Sequence, residues 1–347
     1  MLLNYRFPVA LLLSISIVFL ANNSSMAFVD DKKEAVVNQD QKGESKEDVA
    51  AAKSKDGDAK ATKPDTPPEN EKKGEKGKGE QEKPVEKDDA APPPPLFPDK
   101  ALESAVRAVV FEKRFNEEPL TKEDVAKIPH VIGRGKGIKS LKGLEHCVSL
   151  MKIDLEGNEI ADLKPIAGLT KLISLSLAGN DISDITALEQ LKDLQLLDLS
   201  RNKIKDLKPV EQMKNLRDLW VAENQINNLD PIRSLPKIWY LDIAKNQVSD
   251  LTVVGKLKWL TTLDVTGNKL TDLSALTALE DLDLLLVSKN KISDLGPLVK
   301  MCAADASGER RFAPYLEVYL GENPIDPTKK NAWIDALKNA GVDVFDK

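Results

Sequence analysis

An asparagine recurs every 22 residues from 158 to 290, as Asn158, Asn180, Asn202, Asn224, Asn246, Asn268 and Asn290. The same frame carries apolar residues at fixed offsets. In LISLSLAGNDISDITALEQL, Leu172, Leu175 and Leu177 precede Asn180, and Ile182, Ile185, Leu188 and Leu191 follow it. The next coil repeats this with Leu194, Leu197, Leu199, Asn202, Ile204, Leu207, Val210 and Met213. Two apolar residues spaced two apart before each Asn read as a short strand, because alternate strand side chains point to one side. The apolar residues after the Asn recur every three positions, which suits a tight 3₁₀ or extended return and not a long α-helix. One such coil cannot bury its own leucines. Stacked coils bury them in a continuous row, with strands pairing in parallel at about 4.8 Å.

This L-x-x-L-x-L-x-x-N-x-I/L phrasing is the leucine-rich repeat signature. The expected fold is an α/β solenoid. It is a right-handed superhelix with a parallel concave sheet, a short 3₁₀ or extended convex side, a helical N-terminal cap and a helix–strand C-terminal cap. Asp162, Asp184, Asp206, Asp250, Asp272 and Asp294 form a second register four residues after each Asn, with Asn228 in the remaining place. A side-chain oxygen there caps a turn. A metal ladder is rejected, because each coil supplies only one carboxylate.

An open solenoid needs covers for its end leucines. Residues 97–137 are expected to be a helical cap, with Leu102, Ala105, Val106 and Val109 on one face and Thr121 with Asp124 starting a second helix. Residues 138–326 hold the repeats, opening with Ile138, Leu141 and Leu144 in frame. Asn290 is followed by Asn323, a gap of 33, which is one period plus 11. The extra length is read as a polar excursion near 302–315, CAADASGERRFAPY. Residues 327–347 close the array with a helix, Trp333, Ala336 and Leu337 inward, and a strand VDVF.

The 22-residue period, the phrasing NKIKDLKPV and NKISDLGPL, and the short helical N-terminal cap resemble the internalin-type family of bacterial leucine-rich repeat proteins. The resemblance covers roughly residues 97–347. It implies an adhesion or protein-binding module. The chain carries no LPxTG-type sorting signal, so display by that route is not expected.

The N-terminal residues set the compartment. Arg6 precedes an apolar run from Pro8 to Ala21, and Ser25-Met26-Ala27 places small residues at the −3 and −1 positions of a cleavage site. Residues 1–27 therefore read as a secretory signal peptide, with an apolar run short of the ~20 residues that span a bilayer. A membrane contact is expected only if this segment stays uncleaved. Residues 28–96 are a Lys/Glu/Ala/Pro arm ending in PPPP, with no aromatic between Phe28 and Phe97. Such a segment is expected to be a disordered, solvated tether. The mature protein is expected to be secreted or held in the cell envelope or periplasm.

Acids outnumber bases by only 56 to 50, and no basic patch with interleaved aromatics occurs. Nucleic-acid binding is not expected. Among the two histidines, His130 and His146, only His146 neighbours a thiol, Cys147, and that Cys occupies an apolar repeat offset. No phosphate loop, zinc-protease or serine-hydrolase motif is present. The protein is therefore read as non-enzymatic, with no cofactor and no metal. Cys147 and Cys302 lie about seven coils apart, roughly 34 Å, too far for a disulfide. Cys302, at the edge of the excursion, is read as the thiol able to cross-link.

Function then falls to the variable offsets. Strand residues six and four before the Asn point out of the sheet. There Trp220 stands where the flanking coils carry Asp198 and Asp242. Tyr240 lies one coil on and Leu196 one coil back, with Asp218 between them. Asp264, Leu284, Leu286 and Tyr319 continue the outward columns. An aromatic centre with a polar rim is how protein-binding hot spots are built. The expected partner is a protein, with a glycan stacked on Trp220 as the variant, and the chain is expected to be a monomer. Two other readings stand beside this one. One is an envelope-associated spacer without a specific ligand, whose aromatics only pack on each other. The other is an intracellular scaffold of the phosphatase-regulator type.

Overall fold

The computed structural model describes residues 94–347. The signal peptide expected over 1–27, and nearly all of the arm expected over 28–96, lie outside the described residues. Ten strands of three residues each build one parallel sheet in chain order. They are β1 (His130–Ile132), β2 (Lys152–Asp154), β3 (Ser174–Ser176), β4 (Leu196–Asp198), β5 (Asp218–Trp220), β6 (Tyr240–Asp242), β7 (Thr262–Asp264), β8 (Leu284–Leu286), β9 (Glu317–Tyr319) and β10 (Asp343–Phe345). From β1 to β8 every strand pairs with the residue 22 positions on, as in Leu197↔Leu219. The sequence period is therefore the pairing register.

Each coil buries its apolar offsets. Leu175, Leu177, Ile182, Leu188, Leu191 and Leu194 are all fully buried, and the equivalents in neighbouring coils stack on them. The return is a 3₁₀ turn in most coils, for example Lys164–Ile166, Thr186–Leu188 and Lys208–Val210. Pro165 and Pro209 sit at the start of such turns, where their fixed φ fits and no N–H is missed. The Asp register caps them. Asp162, Asp184, Asp206, Asn228, Asp250, Asp272 and Asp294 each accept the backbone N–H two residues on, at 2.7–3.0 Å.

The asparagines bind coil to coil. Asn202 Nδ2 donates to the Leu199 carbonyl of its own coil and to the Leu177 carbonyl of the coil before, both at 3.0 Å. Its Oδ1 accepts the Ile182 N–H of the earlier coil, also at 3.0 Å. Asn158, Asn180, Asn224, Asn246, Asn268 and Asn290 repeat this pattern, and all seven are buried. The residue before each Asn takes a left-handed conformation. It is Gly157, Gly179 or Gly267 in three coils, and Arg201, Glu223, Lys245 or Lys289 in four.

The N-terminal cap begins with α1 (Lys100–Arg107), whose Leu102, Ala105 and Val106 are buried. The second helix, α2 (Lys122–Val125), starts with a full capping box between Thr121 and Asp124. The opening coil read as incomplete from sequence is completed by β1, which falls within residues expected to be helical cap. β1 lies before Lys136, which stands where an Asn is due; Asn158 Oδ1 accepts the Ile138 N–H as in the other coils and the Lys136 N–H in addition.

The expected polar excursion is corrected in the structure. The extra length begins as an α-helix, α3 (Gly296–Ser307), with Leu298, Met301 and Cys302 buried. It packs on the convex turn Ser274–Ala278 and on the closing helix α4 (Lys330–Asn339). Asn323 then resumes the ladder, donating to the Val287 carbonyl and accepting from the Ile292 N–H. The reading of Cys302 as a cross-linking thiol fails for the same reason. Its side chain is fully buried, and both thiols are free and pushed up to about 12 by burial.

Two outcomes follow. Asn224→Ala leaves the buried Ile204 N–H unpaired and takes one of two donors from the Leu199 and Val221 carbonyls, which keep Asn202 and Asn246. It is expected to lower unfolding free energy by about 2–4 kcal/mol, read by urea titration. Cys147 and Cys302 are expected to stay unreactive toward a thiol-disulfide reagent until the protein is unfolded, when both titrate.

Candidate functional site

With Leu197, Leu219, Leu241 and Leu263 turned into the core, their strand neighbours must face out. Register sets these outward residues in two columns across β4 to β7. One holds Leu196, Asp218, Tyr240 and Thr262, and the other holds Asp198, Trp220, Asp242 and Asp264. Trp220 lies opposite Asp242, and Tyr240 opposite Asp218, so the two rings meet diagonally. Their centroids are 5.0 Å apart, inclined at 39°, within the range of favourable aromatic pairs. Both stay partly exposed, as do Leu196 and the four aspartates.

The aspartates are held by hydrogen bonds. Asp198 accepts the Ser200 N–H at 3.0 Å, Asp242 that of Ala244 at 2.9 Å, and Asp264 that of Thr266 at 2.8 Å. Asp218 accepts the Trp239 indole N–H at 2.6 Å. None of the four forms a salt bridge among the described residues. The N-terminal half of the sheet differs. There Arg134 pairs with Asp154 at 2.6 Å and with Glu156 at 3.4 Å, and Arg201 pairs with Glu156 at 2.7 Å.

The burial of these carboxylates shows in their protonation equilibria. Burial raises Asp198, Asp218 and Asp264 above the usual carboxylate range. Asp242 is pushed up to about 7, first by burial and then by the Asp264 carboxylate directly opposite. Burial and the nearby Asp242 also push the Tyr240 hydroxyl up to about 12, so it remains a neutral donor.

The remaining predicted residues stand apart from this centre. Leu284 and Leu286 lie on β8, two strands beyond Tyr240, or about 10 Å at ordinary strand spacing. They remain partly exposed, since α3 packs on the convex side. Tyr319, on β9, is four strands from Trp220, about 19 Å. Its ring stacks on Phe345 of β10 at 4.5 Å, covering the end of the sheet.

Two residues escaped the sequence reading. Trp239 and Trp259 are 42% and 58% exposed, at the edge where the chain enters β6 and β7. Their offsets, seven and nine before the Asn, are outside the outward strand columns. The signal was present in composition, since three of the chain's four tryptophans fall within residues 220–259. On the same edge, further toward the N-terminus, Met151, Lys171, Ile173, Asp193, Gln195 and Asn215 line an open groove of about 620 Å³. Among the described residues no three metal-ligating side chains converge. His146 has no thiolate to work with, because Cys147 is buried and protonated.

The raised Asp242 gives a signed prediction. Its folded pKa of about 7 exceeds the ordinary 3.8, so the folded state holds the extra proton between those values. Stability is therefore lost as pH rises through that window. Asp242→Asn keeps the hydrogen-bond acceptor for Ala244 and removes the charge. It is expected to stabilise the protein by about 1–2 kcal/mol at pH 8 and by almost nothing at pH 4, read by thermal melts.

A family model described as leucine-rich repeats in two copies matches residues 170–212 and 192–237, and a single-repeat model matches 256–277. No curated protein sequence matches significantly. Among solved structures, internalin C2 of Listeria monocytogenes is 33% identical, covering 59% of this chain and 91% of its own, with a TM-score of 0.56. A second Listeria monocytogenes internalin, internalin F, is 28% identical over 66% of this chain and 64% of its own, at 0.59. A leucine-rich repeat protein of Leptospira interrogans is 25% identical over 59% and 57%, at 0.51. With the repeat register, the open parallel sheet and this identity across most of internalin C2, the chain belongs to the internalin-type family of bacterial leucine-rich repeat proteins.

Proposed function

We propose that this protein is an exported, non-enzymatic binding module that engages a protein partner through its concave sheet at Trp220 and Tyr240. The observation that carries the reading is the ring pair itself. Two aromatics at 5.0 Å stand on an outward face that the repeat leaves free of any apolar demand. Each can bury roughly 150–250 Å² against a partner, and rigid aromatics do so at low entropic cost. Leu196 extends the apolar centre, and the aspartates supply the polar rim. In this reading residues 1–27 direct export and residues 28–96 tether the repeat body. Residues 97–137 and 327–347 seal its ends, and residues 138–326 present the surface.

Pull-downs from the native envelope, with wild-type protein and with the Trp220→Ala/Tyr240→Ala double variant, test this. The wild type is expected to recover a protein that the variant loses by about tenfold or more, as for truncation of a hot-spot pair. Recovery of the same proteins by both forms would favour the spacer reading. The N-terminus of the mature protein tests export separately. A start at Phe28 is expected, and an intact Met1 in the cytoplasm would favour the intracellular scaffold.

A further inference from the structure

The chain as a whole is close to charge balance, with 56 acids and 50 bases. The aromatic face is not. Of the eight outward residues on β4 to β7, four are aspartates and none is basic. Asp242 and Asp264 stand directly opposite each other on neighbouring strands, an arrangement that disfavours folding. Elsewhere on this sheet the carboxylates Asp154 and Glu156 are neutralised by Arg134 and Arg201 of the chain itself. Around Trp220 and Tyr240 no aspartate of the face closes a salt bridge among the described residues; Arg201, Arg217 and Lys245 act on Asp198, Asp218 and Asp264 only from a distance.

From this contrast we infer that the partner docks on the Trp220–Tyr240 face through an extended polypeptide segment with basic side chains flanking an apolar one. The inference rests on the proposed protein-binding role of the concave sheet and adds the chemical class of the partner. Spacing fixes the pattern. Asp198 and Asp264 lie three strands apart, about 14 Å, and a segment crossing the strands presents residues i and i+4 at nearly that distance. A basic residue at each end meets Asp198 at one side and the Asp242/Asp264 pair at the other. The residue at i+2 then falls over Trp220 and Tyr240. A guanidinium or ammonium that overshoots a carboxylate meets the face of an indole or phenol ring, which also attracts it. Basic ends and an apolar middle therefore use every group on the face, whereas an acidic or wholly apolar segment leaves the aspartates without counter-charges.

The test uses labelled peptides with the core Arg-Ser-Leu-Ser-Arg, its charge-reversed form Glu-Ser-Leu-Ser-Glu and its neutral form Gln-Ser-Leu-Ser-Gln, titrated with the full-length mature protein by fluorescence anisotropy. The basic peptide is expected to bind about tenfold or more tightly than either other form, and to weaken as salt rises. Asp242→Asn/Asp264→Asn is expected to cost about tenfold in its affinity. Glu189→Gln/Glu211→Gln, which removes two exposed charges beside the convex turns, is expected to leave it unchanged. Equal binding of the neutral peptide overturns the inference and leaves the protein-binding face standing, as does equal loss in the convex-side control. Failure of the basic peptide to bind at all also overturns it. The proposed role of the face is judged separately, by whether the envelope pull-down changes with Trp220→Ala/Tyr240→Ala.

Discussion

The buried amide of each repeat asparagine is the interaction on which this molecule depends. A turn that closes every 22 residues strands backbone carbonyls and N–H groups inside the stack, away from water, where each unpaired group costs about 1–3 kcal/mol. One asparagine side chain satisfies two carbonyls and one N–H, and takes them from two consecutive coils. It therefore closes its own turn and fixes the spacing to the next in the same act. Aspartate has no donor for the carbonyls, and serine or alanine reaches neither side. The seven asparagines are in register because only this side chain meets all the demands of that buried position.

Register has a consequence for charge. Once coils repeat at 22 residues, any residue type kept at one outward offset becomes a column of identical groups about 4.8 Å apart. For leucines facing inward this is favourable packing. For ionised groups facing outward it is repulsion, eased only by counter-ions or by interruption. The N-terminal half uses counter-ions. Arg201 reaches past the Gly179 coil to Glu156, two coils back, and Arg134 closes the other side. The middle of the sheet closes no such bridge, and burial, with the Asp264 carboxylate beside Asp242, makes Asp242 and Asp264 hold protons more tightly. The sheet thus has one half whose outward carboxylates are held in close salt bridges and one whose carboxylates are not.

Most of the frame was legible in the sequence, because burial imposes it residue by residue. The Asn and Leu offsets, the Asp caps of the convex turns and the Thr121–Asp124 capping box are each local demands met by one residue type. What was hidden had lost its marker. β1 was obscured because Lys136 replaces the asparagine that marks a coil; Asn158 of the next coil makes its usual bonds and adds one from the Lys136 N–H. Helix α3 was obscured because it runs straight into the polar GERR stretch at 308–311, although Leu298, Met301 and Cys302 carry helical spacing. Trp239 and Trp259 were missed because attention to the strand columns excludes the residues that enter them. At the candidate site, the columns were readable from the period, but the diagonal approach of Trp220 to Tyr240 depends on pairing register, which only the structure supplies.

The place of Trp220 follows from the same electrostatics. Its offset carries aspartate in the coil before and in the two coils after, at Asp198, Asp242 and Asp264. A fourth aspartate here would join them into an unbroken row, each charge flanked by like charges and none paired. The indole divides that row. It holds Asp198 two strand spacings from Asp242 and halves the Coulomb repulsion between nearest charges on that side. It also offers a flat apolar surface between carboxylates, with Tyr240 beside it at 5.0 Å. One substitution in the repeat thereby lowers the cost of gathering acids on this face and gives the gathered acids an apolar centre around which to act.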